Sequence, residues 1–258
     1  MSPTNIVGYQ YLKVAPKYSM LTPTFKTVTA ESFDLTDITP MRDVSGVPTA
    51  FANTLPTTMC NGAIAIVKIS SEGNYASAYY YFCTKAKNGW YAGTSSTTPV
   101  EKGTVSFSKG EAMLINNTLS SGKANAFFAV SGEVDFDCNN VIPAKYSLYG
   151  NSTPVAIDLS KVVLYRIVNG EKTAFASTLP TTMCNGAVSV VKISADGNYG
   201  SAYYYFCTKA KNGWYAGTSS TTAIAEGDFT LEPGESVLVN NTYSGGAVIM
   251  ELPAPVAK

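Results

Sequence analysis

Apolar residues along this chain fall in short runs separated by Gly, Ser and Asn clusters, the pattern of strands joined by tight turns. Ile6 to Val14 (IVGYQYLKV) mixes β-branched and aromatic residues over strand length. Asn61 to Ser70 (NGAIAIVKIS) is a second run, and Ser71-Glu72-Gly73-Asn74 supplies turn chemistry, with Gly73 able to take a positive φ. Tyr75 to Thr84 (YASAYYYFCT) then reads as the return strand. Asn88-Gly89 lies between apolar runs and predicts a hairpin turn. Further strands are expected at 104–107, 112–117 and 124–130, divided by Ser108-Lys109-Gly110 and Ser120-Ser121-Gly122. The second half carries matching turns at Glu232-Pro233-Gly234 and Ser244-Gly245-Gly246. Ala30 to Ile38 is the only helix-like stretch, limited to one short turn capped by Asp and Thr. These elements predict an all-β fold of β-sandwich or jelly-roll-like domains.

The same pattern is written twice. Thr49 to Thr98 recurs as Thr173 to Thr222 with seven differences in 50 positions, all mild. Gly110-Glu111 and the LINNT segment Leu114 to Thr118 recur at the same offset as Gly234-Glu235 and Leu238 to Thr242 (LVNNT). Lys17-Tyr18-Ser19-Met20 resembles Lys145-Tyr146-Ser147-Leu148. The expected domains are therefore residues 5–130 and 131–255. The junction Val130-Ser131-Gly132-Glu133-Val134 is short and not Gly/Ser-rich, so the two copies are expected to touch. Exposed-looking residues such as Lys85, Ala86 and Lys87 match their counterparts as closely as core-looking ones do. Recent duplication and a working surface both account for that.

Composition narrows the function classes. Charged residues make up 14% of the chain, and Lys plus Arg balances Asp plus Glu, leaving no field to attract nucleic acid or anionic membrane. No apolar stretch is long enough to span a membrane. A surface of Tyr, Ser, Thr, Asn and Gly suits extracellular and assembled β-proteins. Met1-Ser2-Pro3-Thr4-Asn5 lacks the features of a signal peptide. The chain is then either cytosolic or virion-borne, or has lost a signal, and composition favours the last.

The chain contains no His, which excludes Ser-His-Asp, Cys-His and His-based metal chemistry. The carboxylates are scattered and no Gly-rich phosphate loop follows a strand, so no enzyme is expected. Asp135-Phe136-Asp137-Cys138-Asn139-Asn140 loosely suggests a calcium loop, but it lacks the Gly and bidentate Glu such a loop needs, and a polar strand face is the better reading. No other cofactor is implied. Of the five cysteines, Cys60 and Cys83, like Cys184 and Cys207, lie on the two arms of one expected hairpin. One register sets each pair face to face for a disulfide; a register shifted by one residue sets them on opposite faces. Cys138 has no counterpart, and a free thiol or an inter-subunit link both remain open. The rings of Tyr79, Tyr81 and Trp90, with Tyr203, Tyr205 and Trp214, form either an aromatic contact strip or core filling.

The opening Ile6-Val7-Gly8-Tyr9, the Gly-Trp-Tyr segments at Gly89 and Gly213, and the Gly-Glu turn leading to Asn-Asn-Thr resemble predicted bacterial secreted surface proteins with tandem β-domain repeats. That resemblance implies a cell-surface location and no established activity. The resulting expectation is a self-assembling extracellular structural subunit: a filament, tubule or surface layer. Its partner would be itself, as a homopolymer or lattice, with the domain-to-domain contact repeated head to tail between chains. Edge strands around Ile6, Tyr9 and Tyr11, or around Val248 and Met250, would add β-pairing. The alternatives are an adhesive module binding a glycan through the aromatic strip, and a virion structural protein.

Overall fold

A computed structural model describes residues 7–26, 32–70, 72–108, 110–134, 139–194 and 196–253. Ile6, Cys138 and most of the acidic loop before Asn139 lie outside the described residues. The class is all-β. The first repeat contributes β1 (Val7–Val14), β2 (Lys17–Leu21), β3 (Phe25–Lys26), β4 (Ser32–Asp34), β5 (Thr39–Val44), β6 (Val47–Ala50), β7 (Cys60–Ile69), β8 (Tyr75–Cys83), β9 (Asn88–Ala92), β10 (Ser106–Ser108), β11 (Met113–Asn117) and β12 (Ala126–Val134). The second contributes β13 (Asn139–Ile142), β14 (Lys145–Gly150), β15 (Ile157–Asp158), β16 (Val163–Val168), β17 (Glu171–Ala174), β18 (Cys184–Ile193), β19 (Tyr199–Cys207), β20 (Asn212–Ala216), β21 (Thr230–Leu231), β22 (Ser236–Asn241) and β23 (Val248–Glu251).

In the first repeat, one sheet has the order β1-β12-β5-β6, with β3 also on β12, and another the order β2-β11-β7-β8-β9. The second repeat follows the same orders, β13-β23-β16-β17 and β14-β22-β18-β19-β20, with no counterpart of β3 among the described residues. Alternation along the strands turns one apolar face of each sheet onto a shared core. One core gathers Leu12, Val14, Ile64, Ile66, Trp90, Met113, Ile115 and Phe128. The other gathers Ile142, Leu164, Val188, Val190, Trp214, Val239 and Met250. Each core draws on one repeat alone.

Three expectations need correction. β12 runs unbroken through 130–134, with Ser131 opposite Tyr9 and Gly132 opposite Gly8, so the first unit extends to Val134 rather than ending at 130. Asn88-Gly89 is not a turn. It opens β9 opposite Cys83 and Phe82, while the chain reverses at 84–87, where the Thr84 hydroxyl accepts from the amides of Ala86 and Lys87. That local side-chain bond competes with the Asn-Gly turn and wins. β23 is an interior strand between β13 and β16, with Val248 and Met250 buried, so it offers no edge. The helix-like stretch is one 3-10 turn, Leu35–Asp37, with Asp34 accepting from the Thr36 amide.

The two repeats are packed face to face. Met20, Ala112, Leu114, Leu148 and Leu238 form a third buried cluster, flanked by Tyr18, Val67, Ile69 and Ile193. Its contacts come in matched pairs. Lys17 bonds Asp196 and Lys145 bonds Glu72, equivalent positions with the repeats exchanged. The Tyr146 ring lies against Gly73, and the Tyr18 ring against Gly197. Leu21 bridges Glu235 and Tyr149 bridges Glu111. The Thr22 amide donates to the Gly234 carbonyl at 2.7 Å, and the Gly150 amide to the Gly110 carbonyl at 3.1 Å. This reciprocity defines an isologous, two-fold contact, which uses the same face of both partners and leaves neither free. The head-to-tail repetition of this contact expected from the sequence therefore has no faces left to use.

Candidate functional site: an unpaired edge strand and two cysteine pairs

Edges are where a β-protein can bind another strand, and natural sheets usually blunt them by shortness, charge or proline. Most edges here follow that rule. β6 is four residues long and contains Pro48. β17 is four residues long and starts with Glu171 and Lys172. β13 is four residues long. β2 and β14 are bridged to the opposite repeat. β1 departs from it. All eight of its residues pair with β12 in one unbroken register, and β12 is its only strand partner among the described residues. It contains no proline, and Lys13 is its only charge.

On its outer face Tyr9 is 59% and Tyr11 42% exposed. Their rings meet edge to face at 5.0 Å, and Tyr11 meets Phe127 at 6.4 Å. A hydrogen bond to Tyr11 raises the Tyr9 phenol above its usual pKa. The inner face carries Leu12 and Val14, both buried. The sequence therefore pointed to Tyr9 and Tyr11 on an edge, while its other choice, Val248 and Met250, lies in the core.

The aromatic strip belongs to the interior. Trp90 is 3% and Trp214 1% exposed. Each indole N–H donates to a backbone carbonyl, Ile38 at 3.0 Å and Val162 at 2.8 Å, just after the 3-10 turns. Tyr81 and Tyr205 meet these indoles edge to face at 5.3 and 5.2 Å, and Tyr79 and Tyr203 pack against the same cores. Burial pushes the Tyr81 and Tyr205 phenols up to about 12. On the opposite face of β8, Phe82 and Tyr91 meet at 5.4 Å beneath Lys87, whose Nζ lies 4.7 Å from the Phe82 centroid. Lys211 does the same over Phe206 and Tyr215. The identity of Lys87 and Lys211 thus has a local physical reason, a cation covering two rings.

The cysteine register is settled by two irregularities rather than one. At the hairpin tip Ile69 faces Tyr75, with Gly73 at a φ of 81°. One residue is then gained on β8, and in mid-hairpin Ile64 faces Tyr81. Beyond that, two extra residues on β7, Gly62 and Ala63, bring Cys60 directly opposite Cys83. A two-residue shift preserves the facing of side chains, so both cysteines stay on the core side. Gly62 makes the bulge with a φ of 72°, and the Phe82 ring closes over it. The second repeat does the same with Gly186, setting Cys184 opposite Cys207. All four thiols are free. Cys60 and Cys184 are fully buried, with burial pushing their thiols up to about 11, while Cys83 and Cys207 are half-buried.

Among the described residues no three His, Cys, Asp or Glu side chains come together as a metal site would need. No helix among them is long and apolar enough to cross a membrane. No protein-family model, curated protein or solved structure matches the chain.

Proposed function

We propose that this chain is a self-assembling structural subunit of the extracellular or cell-surface kind, and that copies join through β1. The observation that carries the reading is the eight-residue edge with no partner on its outer side among the described residues. An unpaired strand of that length exposes backbone donors and acceptors whose natural complement is another strand. The complement available in every preparation is β1 of a second copy, because an antiparallel edge can pair with itself about a two-fold axis. Facing and side-chain matching select one register, centred on Gln10. It sets Tyr9 of one copy beside Tyr11 of the other on the outer face and keeps Leu12 facing inward. Lys13 never meets its own copy, so no like charges oppose each other.

Sedimentation velocity across a concentration series tests this, with negative-stain micrographs for larger species. The wild type is expected to double in mass with concentration, and Tyr9→Lys combined with Tyr11→Lys to remain single. A wild type that stays monomeric across concentration, salt and calcium refutes the proposal.

One observation favours a second reading, glycan adhesion. A groove of about 380 Å³ beside the interface is lined by Tyr146, Tyr199, Tyr204, Asn240 and Glu72, rings and polar groups suited to a sugar. A glycan array with wild type and Tyr204→Ala decides it, and no binding to any sugar removes it.

A further inference from the structure

The two cysteine pairs play no part in edge assembly, and their placement has its own chemistry. Directly opposed residues in an antiparallel ladder have Cα atoms about 4.5 or 5.5 Å apart, both within the roughly 4.4–6.8 Å that a disulfide spans. The bulge at Gly62 is what produces that opposition, and the chain builds the same device again at Gly186. Each pair has one sealed member and one that reaches solvent. Cys60 shows no accessible surface and its Sγ donates to the Tyr81 carbonyl at 3.3 Å. Cys184 does the same toward Tyr205 at 3.4 Å. Cys83 and Cys207 sit at the outer end of the hairpin, half-buried.

We propose that Cys60 with Cys83, and Cys184 with Cys207, are redox sites that close to cross-strand disulfides by exchange with a small-molecule disulfide such as oxidised glutathione. Cys83 is the entry point. Its thiolate attacks one sulfur of the oxidant, the oxidant's S–S bond breaks, and one glutathione leaves as the thiolate. The Cys60 sulfur then attacks the Cys83 side of the mixed disulfide and expels the second glutathione. Two protein thiols are oxidised, one disulfide oxidant is reduced by two electrons, and the two protons end on the two released glutathiones. Cys184 resolves on Cys207 in the same way. Burial holds the resolving thiols largely protonated, so closure is slow at neutral pH and accelerates toward the alkaline side.

The test is peptide mapping by mass spectrometry after incubation of the native chain with oxidised glutathione, alkylation and digestion without reductant. Once exchange at about pH 9 has run to completion, the wild type is expected to yield the Cys60–Cys83 and Cys184–Cys207 cross-linked peptides and no glutathione on any of these four residues. Cys60→Ser is expected to stop at glutathione on Cys83, and Cys83→Ser to leave Cys60 unmodified. In both variants the Cys184–Cys207 link forms normally and reports that the chain is folded. The proposal is overturned if the wild type keeps these four thiols alkylatable, or if glutathione persists on Cys83. It is equally overturned by links that join the two pairs to each other or to Cys138. Assembly state is not read in this experiment, so its failure and that of edge pairing are independent.

Discussion

Truncating Leu114 or Leu238 to Ala tests the two-fold contact most directly. These leucines occupy equivalent positions in the repeats and both lie in the buried cluster between them, 2% and 8% exposed. Leu→Ala removes about three carbons, worth about 2 kcal/mol of transfer free energy, and adds a cavity cost in a typical range of about 2–5 kcal/mol in total. This cluster gathers five buried residues, against much larger cores on either side, so solvent at its rim can relax into the gap. The expected loss is about 2–3 kcal/mol for each substitution. The chain's two tryptophans lie one in each core, so Trp90→Phe or Trp214→Phe leaves a fluorescent probe of a single repeat. Each Trp→Phe change weakens the repeat it silences, so urea unfolding of each leucine variant is followed by circular dichroism, which reads both repeats, and the single-indole backgrounds assign the transitions. Contacts across the interface are lost when whichever repeat is weaker opens, so both truncations are expected to lower the same transition. Their sum should exceed the double variant by at least about 0.5 kcal/mol, because the two side chains share one cluster. If each truncation moved only the probe in its own repeat, the shared interface would be refuted.

Three other outcomes are expected. Trp214→Phe strands the Val162 carbonyl and leaves a void, costing about 2–4 kcal/mol, readable as a drop in urea midpoint with unchanged slope; a neutral effect would place the indole outside the core. Gly186→Ala forces a methyl into a φ of 71° and within 3.0 Å of the Phe206 ring, costing about 1–2 kcal/mol or more, and the Cys184–Cys207 cross-link should slow with it. In the reduced chain Cys60 and Cys184 have folded-state values raised from 9.0 to about 11, so the folded state holds protons that the unfolded state has already released. The stability they contribute is complete below pH 9 and is lost as pH rises through 11, about 2–3 kcal/mol per thiol. Urea titrations at pH 8, 9.5 and 11 measure it, and rising stability over that window contradicts the burial argument.

Much of the fold was legible because it depends on short-range alternation. The runs at β1, β7, β8, β11 and β12 could be seen as strands, and the repeat offset matched each to its counterpart. The two-residue β3 and β15 carry too little pattern to detect without their partners. The Asn88-Gly89 error came from a turn preference that the Thr84 hydroxyl, four residues before Asn88, overrode. The aromatic strip stayed ambiguous because alternation shows that Tyr79 and Tyr81 share a face but not which face is covered, and only sheet order decides that. The cysteine register depended on a bulge at Gly62, and an insertion of two residues within a continuous apolar run leaves no trace in its hydrophobicity. Leu114 and Leu238 were missed as contact residues because a face buried between two domains reads the same as a face buried within one.

The pairing of the repeats about a two-fold axis means that a dimer has been written into one polypeptide, and fusion removes the requirement that the halves be alike. In a pair of separate identical chains, any sticky edge would appear at both ends and growth would continue without limit. Among the described residues one half presents eight residues of bare strand and its twin four. The molecule is thereby monovalent at this edge, so union through it stops at two chains. Any filament or sheet made from it must extend through a second, chemically different contact.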